Sequence, residues 1–434
     1  MRAKNNRKTI NMVTLGCSKN IVDSEVLMKQ LSENGLQVVH NSNEPSDAVI
    51  INTCGFIKDA KEESIDTILQ FTKAKERGDI GELYVMGCLS ERYKNDLQNE
   101  IPDVDKYFGA NDMMQIIKHL GYNYKENLVG ERLITTPKHY AYLKISEGCD
   151  RQCSFCAIPL MRGKHRSKPV ENILREAKIL VNNGVKELIL IAQDLTYYGV
   201  DLNRKQLLAS LLEQLSDISG LQWIRLHYAY PTGFPKDVLK VMLNHENICN
   251  YLDIPFQHIS DPVLKNMRRG LNKQQTYNLI DLLRNEVPDL TLRTTLMVGH
   301  PGEGEKEFAE LNDLVEKIRF DRLGVFTYCE EEDTFGARNF KDDIPEEIKN
   351  KRLEELINIQ RSISYEINAS KVGTNINVLI DRSEGEYYIG RSEADSPEVD
   401  NEVIVKSDMP LNIGNFYRIR ITNAEEYDIY GSVC

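Results

Sequence analysis

The sequence predicts an α/β protein in three parts: an N-terminal open parallel α/β sheet, a central partial (βα)6 barrel and a small C-terminal antiparallel β-barrel of OB-like size. Three observations predict it. Short apolar runs alternate with amphipathic stretches over residues 9–120, and strand–helix alternation builds a mainly parallel sheet with helices on both faces. From Ala141 the alternation resumes on a larger scale, six times over. After Ser370 the pattern changes to short β-rich runs split by Gly, Asn, Asp and Ser. The domains so predicted are 1–135, 136–370 and 371–434.

In the first part, Thr9–Cys17, Leu36–His40, Asp47–Cys54 and Gly81–Cys88 read as strands. Asn20–Asn34 and Ile57–Arg77 read as helices, the first stopped by Gly35. No G-x-G-x-x-G follows the first strand, so nothing points to a dinucleotide. Cys17, Cys54 and Cys88 each close a predicted strand, and open α/β sheets bind ligands just outside those ends. Three cysteines distant in sequence are thus expected to converge on one edge as ligands. Gly16 and Gly87 beside them let the backbone approach a bulky group. Cysteine is also common in cores, but three at equivalent strand ends favour ligation. Residues 121–139 lack periodicity and read as a linker.

In the second part the expected strands are Tyr142–Glu147, Glu187–Leu195, Trp223–Tyr230, Tyr251–Gln257, Leu292–Gly299 and Leu323–Tyr328. The helices between them are Val170–Asn182, Lys205–Ser216, Lys236–Asn244, Pro262–Arg268 with Lys273–Arg284, and Gly304–Arg319. Barrel chemistry sits at the C-terminal ends of strands. The loop after the first strand carries Cys149, Cys153 and Cys156, spaced C-x3-C-x2-C. Such thiols suit zinc or an iron–sulfur cluster. A closed zinc site wants four ligands, and no fourth Cys follows at a plausible distance. His165 is the one substitute, beyond Pro159 and Gly163 in a basic loop. The other reading is a 4Fe-4S cluster with one iron left open for a further ligand. Asp342–Ser370 reads as a helix leading away from the barrel, and five short runs between Ile376 and Val433 as the strands of the last part.

Composition narrows the class. At 41% apolar and 28% charged the chain reads as globular, with no sign of disorder. No apolar run approaches the roughly 18 residues of a membrane span, and the basic start Met1–Lys8 lacks the apolar core of a secretory signal. Nine cysteines, an odd number, argue for metal ligation in a reducing cytoplasm over a disulfide framework. The net charge of −12 does not exclude RNA, since one face can be basic, but it suits a basic protein partner better. Residues 370–434 hold twelve acids against six bases, and a barrel that grips RNA needs a positive groove.

The C-x3-C-x2-C spacing, with the aromatic Phe155 before the last Cys, resembles the signature of the radical S-adenosylmethionine (SAM) superfamily. With both triplets placed, nearly the whole chain resembles the methylthiotransferases. That family joins an N-terminal cluster domain, a radical-SAM barrel and a C-terminal TRAM barrel. Of its two branches, one modifies an aspartate of small-subunit ribosomal protein uS12 and the other an adenosine beside the tRNA anticodon. Leu15-Gly16-Cys17-Ser18-Lys19-Asn20, Asn52-Thr53-Cys54-Gly55-Phe56-Ile57, Lys144–Arg151, Cys156-Ala157-Ile158-Pro159 and Leu252–His258 are similar to the protein-modifying branch. His300, Cys329 and Asp333 depart from the usual Phe, Ser and Gly beside the barrel mouth.

The resemblance implies two 4Fe-4S clusters and SAM as cofactors. Cys149, Cys153 and Cys156 would be catalytic, holding the cluster that cleaves SAM. Cys17, Cys54 and Cys88 would hold a second cluster carrying the sulfur to be inserted. It implies further a basic ribosomal protein as substrate and an electron donor such as flavodoxin or ferredoxin, with tRNA the less favoured partner. Phe155, Gln193, Arg225 and Gly299 are the expected cofactor contacts, with Asp194, Glu303 and His227 beside them. Ordinary readings stand next to these: a strand-to-helix turn for Gly299-x-x-Gly302-x-Gly304, and half-buried strand polarity for Arg225 and His227. Arg162, Lys164, His165 and Arg166 form a basic loop that serves either SAM and substrate or solubility. Cys249, Cys329 and Cys434 read as structural or incidental, and Glu330–Asp333 as a solvated or partner-facing turn. A non-enzymatic alternative, a cluster-bearing RNA-binding scaffold, needs the cysteines and no SAM turnover.

Overall fold

The computed structural model describes residues 8–434, so the basic start, apart from Lys8, lies outside the described residues. Five strands form the N-terminal sheet: β1 (Thr9–Thr14), β2 (Gln37–His40), β3 (Ser46–Thr53), β4 (Ile80–Gly87) and β5 (Lys106–Tyr107). All pair in parallel, in the order β2-β1-β3-β4-β5. Alternation along β3 explains the two layers. Ala48 and Ile50 face Leu27 and Leu31 of α1 (Ser18–Glu33), while Val49 and Ile51 face Ile68 of α2 (Lys58–Glu76). A third helix, α3 (Cys88–Glu100), is not legible in the sequence because its interior is charged and its burial is concentrated in the first turn.

The strands end just before the cysteines that were expected to close them. Gly16 and Gly87 take φ of +86° and +106°, which breaks the extended backbone. Cys17 then caps α1 and Cys88 begins α3.

Six parallel strands form the open barrel: β6 (Tyr140–Lys144), β7 (Glu187–Ile191), β8 (Trp223–Leu226), β9 (Ile248–Asp253), β10 (Thr291–Val298) and β11 (Arg322–Thr327), in chain order across the sheet. Leu143, Leu188, Leu190, Ile224, Leu226 and Leu252 point outward into the helical layer. An incomplete barrel leaves its inner face bare, and here the flanking parts cover it. Val22 of α1 packs on Tyr140, Tyr142, Ile189 and Ile191. Leu379 and Phe416 of the C-terminal part pack on Trp223, Cys249 and Tyr251. The helix Glu346–Ala369, expected to lead away, instead packs along the barrel edge through Leu356 and Ile363. That shields the open edge of β11. Residues 121–139 are likewise threaded between elements: Leu133 N donates to Glu25 O (3.1 Å), and Arg132 pairs with Glu25 and Glu176.

The last five strands are β12 (Asn375–Glu384), β13 (Tyr387–Arg391), β14 (Val403–Lys406), β15 (Phe416–Ala424) and β16 (Ile429–Val433). They close into a barrel in the order β12-β13-β14-β16-β15. Four pairs are antiparallel and β14 with β16 is parallel. A closed ring of five strands cannot alternate direction throughout, so one parallel pair is forced.

The loop from Ser392 to Asn401 reaches into the large barrel. Asp395 pairs with Arg322, Ser396 Oγ lies 2.7 Å from His227 Nε2, and Asp400 accepts from Tyr251 Oη (2.6 Å) and Arg293 Nε (3.2 Å). Asp381, on β12, pairs with Arg391 and His139. The acidic excess of this part is therefore largely internal. On its surface six exposed acids face four exposed bases, too small a difference to choose between a protein and a nucleic-acid partner. The exposed charge of this part therefore does not by itself select a basic partner.

Candidate functional site

Three adjacent strands deliver the first triplet. Thr14 is in register with Asn52, and Thr53 with Gly87, so Cys17, Cys54 and Cys88 emerge side by side. The approach is close: a Cβ on Gly16 would lie 2.6 Å from Cys54 Cβ, and one on Gly87 2.5 Å from Thr53 O. Burial pushes the Cys88 thiol up to about 11, against the pull of Arg162. Burial also raises Cys54, and the Cys17 sulfur adds to both shifts. Left alone, Cys54 and Cys88 stay protonated, and bound iron would supply the positive charge that makes them thiolates.

The second triplet lies in the loop after β6, at the C-terminal end of the barrel. Gly148 takes φ of +76°, and a Cβ there would lie 2.1 Å from Lys164 O. Cys149 N donates to Gly163 O (3.1 Å) and Ser154 N to Met267 O (3.0 Å), which pins both ends of the loop. Burial pushes Cys149 up to about 11 and raises Cys156, with the neighbouring sulfurs adding. Arg269 Nη1 donates to Cys153 Sγ at 3.1 Å. Its guanidinium and that of Arg151 both lie over the Tyr230 ring, 4.3 and 4.2 Å from its centroid. Phe155 meets His300 edge-on at 6.3 Å, and His300 also packs on Tyr328 and Phe340, so the imidazole takes an aromatic's place at the barrel mouth.

All nine cysteines are free thiols. Among the described residues no group of His, Cys, Asp and Glu has the spacing for a single bound metal ion. His165, the candidate fourth zinc ligand, faces Ser167 (3.0 Å), Asp201 and Tyr197. Each triplet instead has a guanidinium donating to a sulfur, and glycines that let the cysteine-bearing backbone segments approach closely. These residues fit iron–sulfur clusters.

A buried charge network joins the two triplets. Arg162 Nε donates to Cys88 Sγ (3.1 Å) and its Nη1 to Asp23 Oδ2 (2.6 Å). Lys144 bridges Asp23 and Glu147. Burial alone would raise the Glu147 carboxyl, but Lys144 and Arg162 hold it well below the usual carboxylate range. Gln193 Nε2 donates to Glu147 Oε1 (2.8 Å), and its own Oε1 is buried without a partner. Lys144 and Glu147 carry no signal in the sequence beyond sitting inside the motif word Lys144–Arg151, and Asp23 none beyond lying three residues after the word that ends at Asn20.

Other expected contacts lie elsewhere or are already engaged. Gly299 (φ +75°) donates its N–H to Glu303 Oε1 (2.9 Å), and Glu303 is taken by His258 and Arg352. Asp194 holds Arg151 (2.8 Å). Arg225 is fully buried, with Nε on Glu187 (2.8 Å) and Nη1 on Glu393 O (2.6 Å). It and His227 face the C-terminal barrel, not the cysteine loop. Glu331, read as solvated or partner-facing, is buried against Lys61 and Arg92 of the N-terminal part.

Three family models match the chain: the uncharacterized protein family UPF0004 over residues 9–109, the radical SAM superfamily over 143–315 and the TRAM domain over 372–434. The ribosomal protein uS12 methylthiotransferase RimO of Bacteroides fragilis is 57% identical over 98% of this chain and 99% of its own. The protein of that name from Cytophaga hutchinsonii is 55% identical over the full length of both. Among solved structures, the radical SAM methyltransferase TsrM from Kitasatospora setae, with tryptophan and a SAM analog bound, has a TM-score of 0.55 at 11% identity, covering 87% of this chain and 79% of that one. The cobalamin-dependent SAM radical enzyme OxsB has a TM-score of 0.52 at 16% identity, covering 82% and 58%. These two are likenesses of fold. No helix among the described residues is long and apolar enough to cross a membrane.

Proposed function

The chain belongs to the ribosomal protein uS12 methylthiotransferases, radical SAM transferases that use 4Fe-4S clusters and SAM, and from that premise we propose that it transfers a methylthio group to the β-carbon of an aspartate in uS12. Cys149, Cys153 and Cys156 hold one cluster, and Cys17, Cys54 and Cys88 hold the other. When bound, the clusters and SAM supply the radical that removes a hydrogen from an unactivated carbon and the sulfur that takes its place.

The chain's own residues hold and screen these groups. Arg269 and Arg162 donate to ligand sulfurs, one in each triplet. Arg151 and Tyr230 wall the SAM-cleaving triplet, while Lys144, Glu147 and Gln193 at the ends of β6 and β7 present polar atoms beside it. Gln193, whose buried Oε1 has no partner, and Phe155, next to Cys156, are the proposed SAM contacts, and a flavodoxin- or ferredoxin-type protein is the proposed electron donor. The observation that carries this reading is that the loop bearing one triplet touches the other: Arg162, six residues after Cys156, reaches Cys88 Sγ.

The test is to reconstitute the protein anaerobically and offer it uS12 or a tRNA anticodon stem-loop with SAM and reductant. One methylthio group on uS12 aspartate is the expected product. Modified adenosine, with uS12 untouched, would overturn the substrate assignment.

A further inference from the structure

Arg162 ends the short helix Ile158–Arg162, just after the second triplet, yet its side chain is spent on the first. Besides Cys88 Sγ and Asp23 it donates to Asn20 Oδ1, and it is 2% exposed. Asn20 and Asp23 lie on α1, which Cys17 caps, and Cys88 opens α3. One guanidinium thus bonds to one ligand sulfur and to the helix that carries a second ligand. Among the described residues no other side chain donates to Cys17, Cys54 or Cys88. The buried network around it holds two cations, Arg162 and Lys144, against two carboxylates, Asp23 and Glu147. Removing Arg162 leaves that network net negative beside Cys88; removing the Asp23 charge leaves it net positive.

Hydrogen bonds to cluster sulfurs and nearby positive charge favour the reduced, more negative state and raise the reduction potential. We propose that Arg162 is a positioning residue that raises the reduction potential of the cluster held by Cys17, Cys54 and Cys88, so that the loop of one cluster tunes the other. This rests on the two-cluster reading above.

The test uses the full chain with Cys149, Cys153 and Cys156 replaced by Ala, so that a single cluster remains, and follows its midpoint potential by electron paramagnetic resonance. Arg162→Gln should lower the midpoint, with iron content kept. Asp23→Asn should move it the other way. Arg162→Lys, which keeps the charge and loses the Nε donor, should lie between Arg162→Gln and the parent. An unmoved midpoint in Arg162→Gln, or the same direction of shift in Arg162→Gln and Asp23→Asn as a purely structural role predicts, overturns the proposal. If Arg162→Gln fails to load iron, Arg162→Lys decides: a midpoint below the parent's supports the proposal and one equal to it overturns it. A parent that holds no iron removes the two-cluster premise, and the proposal with it.

Discussion

Glu331, in the turn after the sixth barrel strand, is buried in an ion pair with Lys61 of the N-terminal sheet domain, the charges 3.0 Å apart. Arg92 of α3 binds the same carboxylate. The pair ties the two triplet-bearing parts together a second time, through residues separate from the Arg162 network.

Glu331→Gln strands Arg92, which is only 5% exposed, without a counter-charge. Breaking such a pair costs about 3 kcal/mol. Denaturant unfolding should register the loss, and hydrogen exchange should rise in α2 and α3. Unchanged exchange there would mean that the clamp does not hold the domains.

Replacing Cys149, Cys153 and Cys156 together by Ala should leave roughly half of the eight irons expected from two 4Fe-4S clusters and abolish SAM cleavage. Iron analysis and assay of 5′-deoxyadenosine check both. Retained cleavage would remove that triplet from the SAM-cleaving role.

The reciprocal variant, with Cys17, Cys54 and Cys88 changed to Ala, should still make 5′-deoxyadenosine when reduced and should insert no sulfur. Normal methylthio transfer by this variant would mean that the convergence at the strand ends carries no ligand.

His300 gives the fold a pH dependence. Burial lowers its pKa from 6.5 to about 4, partly opposed by the Pro301 carbonyl. The unfolded chain therefore takes up this proton first as pH falls through 6.5, and the native state only near 4. The stability linked to neutral His300 is full above pH 6.5 and is lost down to about pH 4, by roughly 3 kcal/mol. His300→Phe removes that term and the contact with Ser154 (3.2 Å). The advantage of the parent over the variant in denaturant unfolding should shrink between pH 7 and pH 4. A constant difference would contradict it.

Much of this is local and so was legible in the sequence. The Cys149 loop carries its spacing in eight residues, and the barrel strands repeat one pattern, so both stand out without any long-range information. Cys17, Cys54 and Cys88 could be grouped because each follows a strand of one sheet. What escaped depends on contacts between distant segments. Arg162 and Cys88 are 74 residues apart and share no motif. Asp395 and Asp400 look like surface acids by composition, and only the fold turns their loop inward onto Arg322 and Arg293. Arg225 has the position of a cofactor contact along its strand, but the C-terminal barrel claims it from the inner face.

The central claim is that this chain puts a methylthio group on uS12, and the most direct measurement is the mass of that protein from cells with and without the gene, with tRNA nucleosides analysed from the same cultures. With the gene present, and only then, uS12 should be heavier by one methylthio group at an aspartate, and the tRNA of the two strains should be identical. Unmodified uS12 in both strains, with a methylthio-adenosine that disappears with the gene, would contradict it.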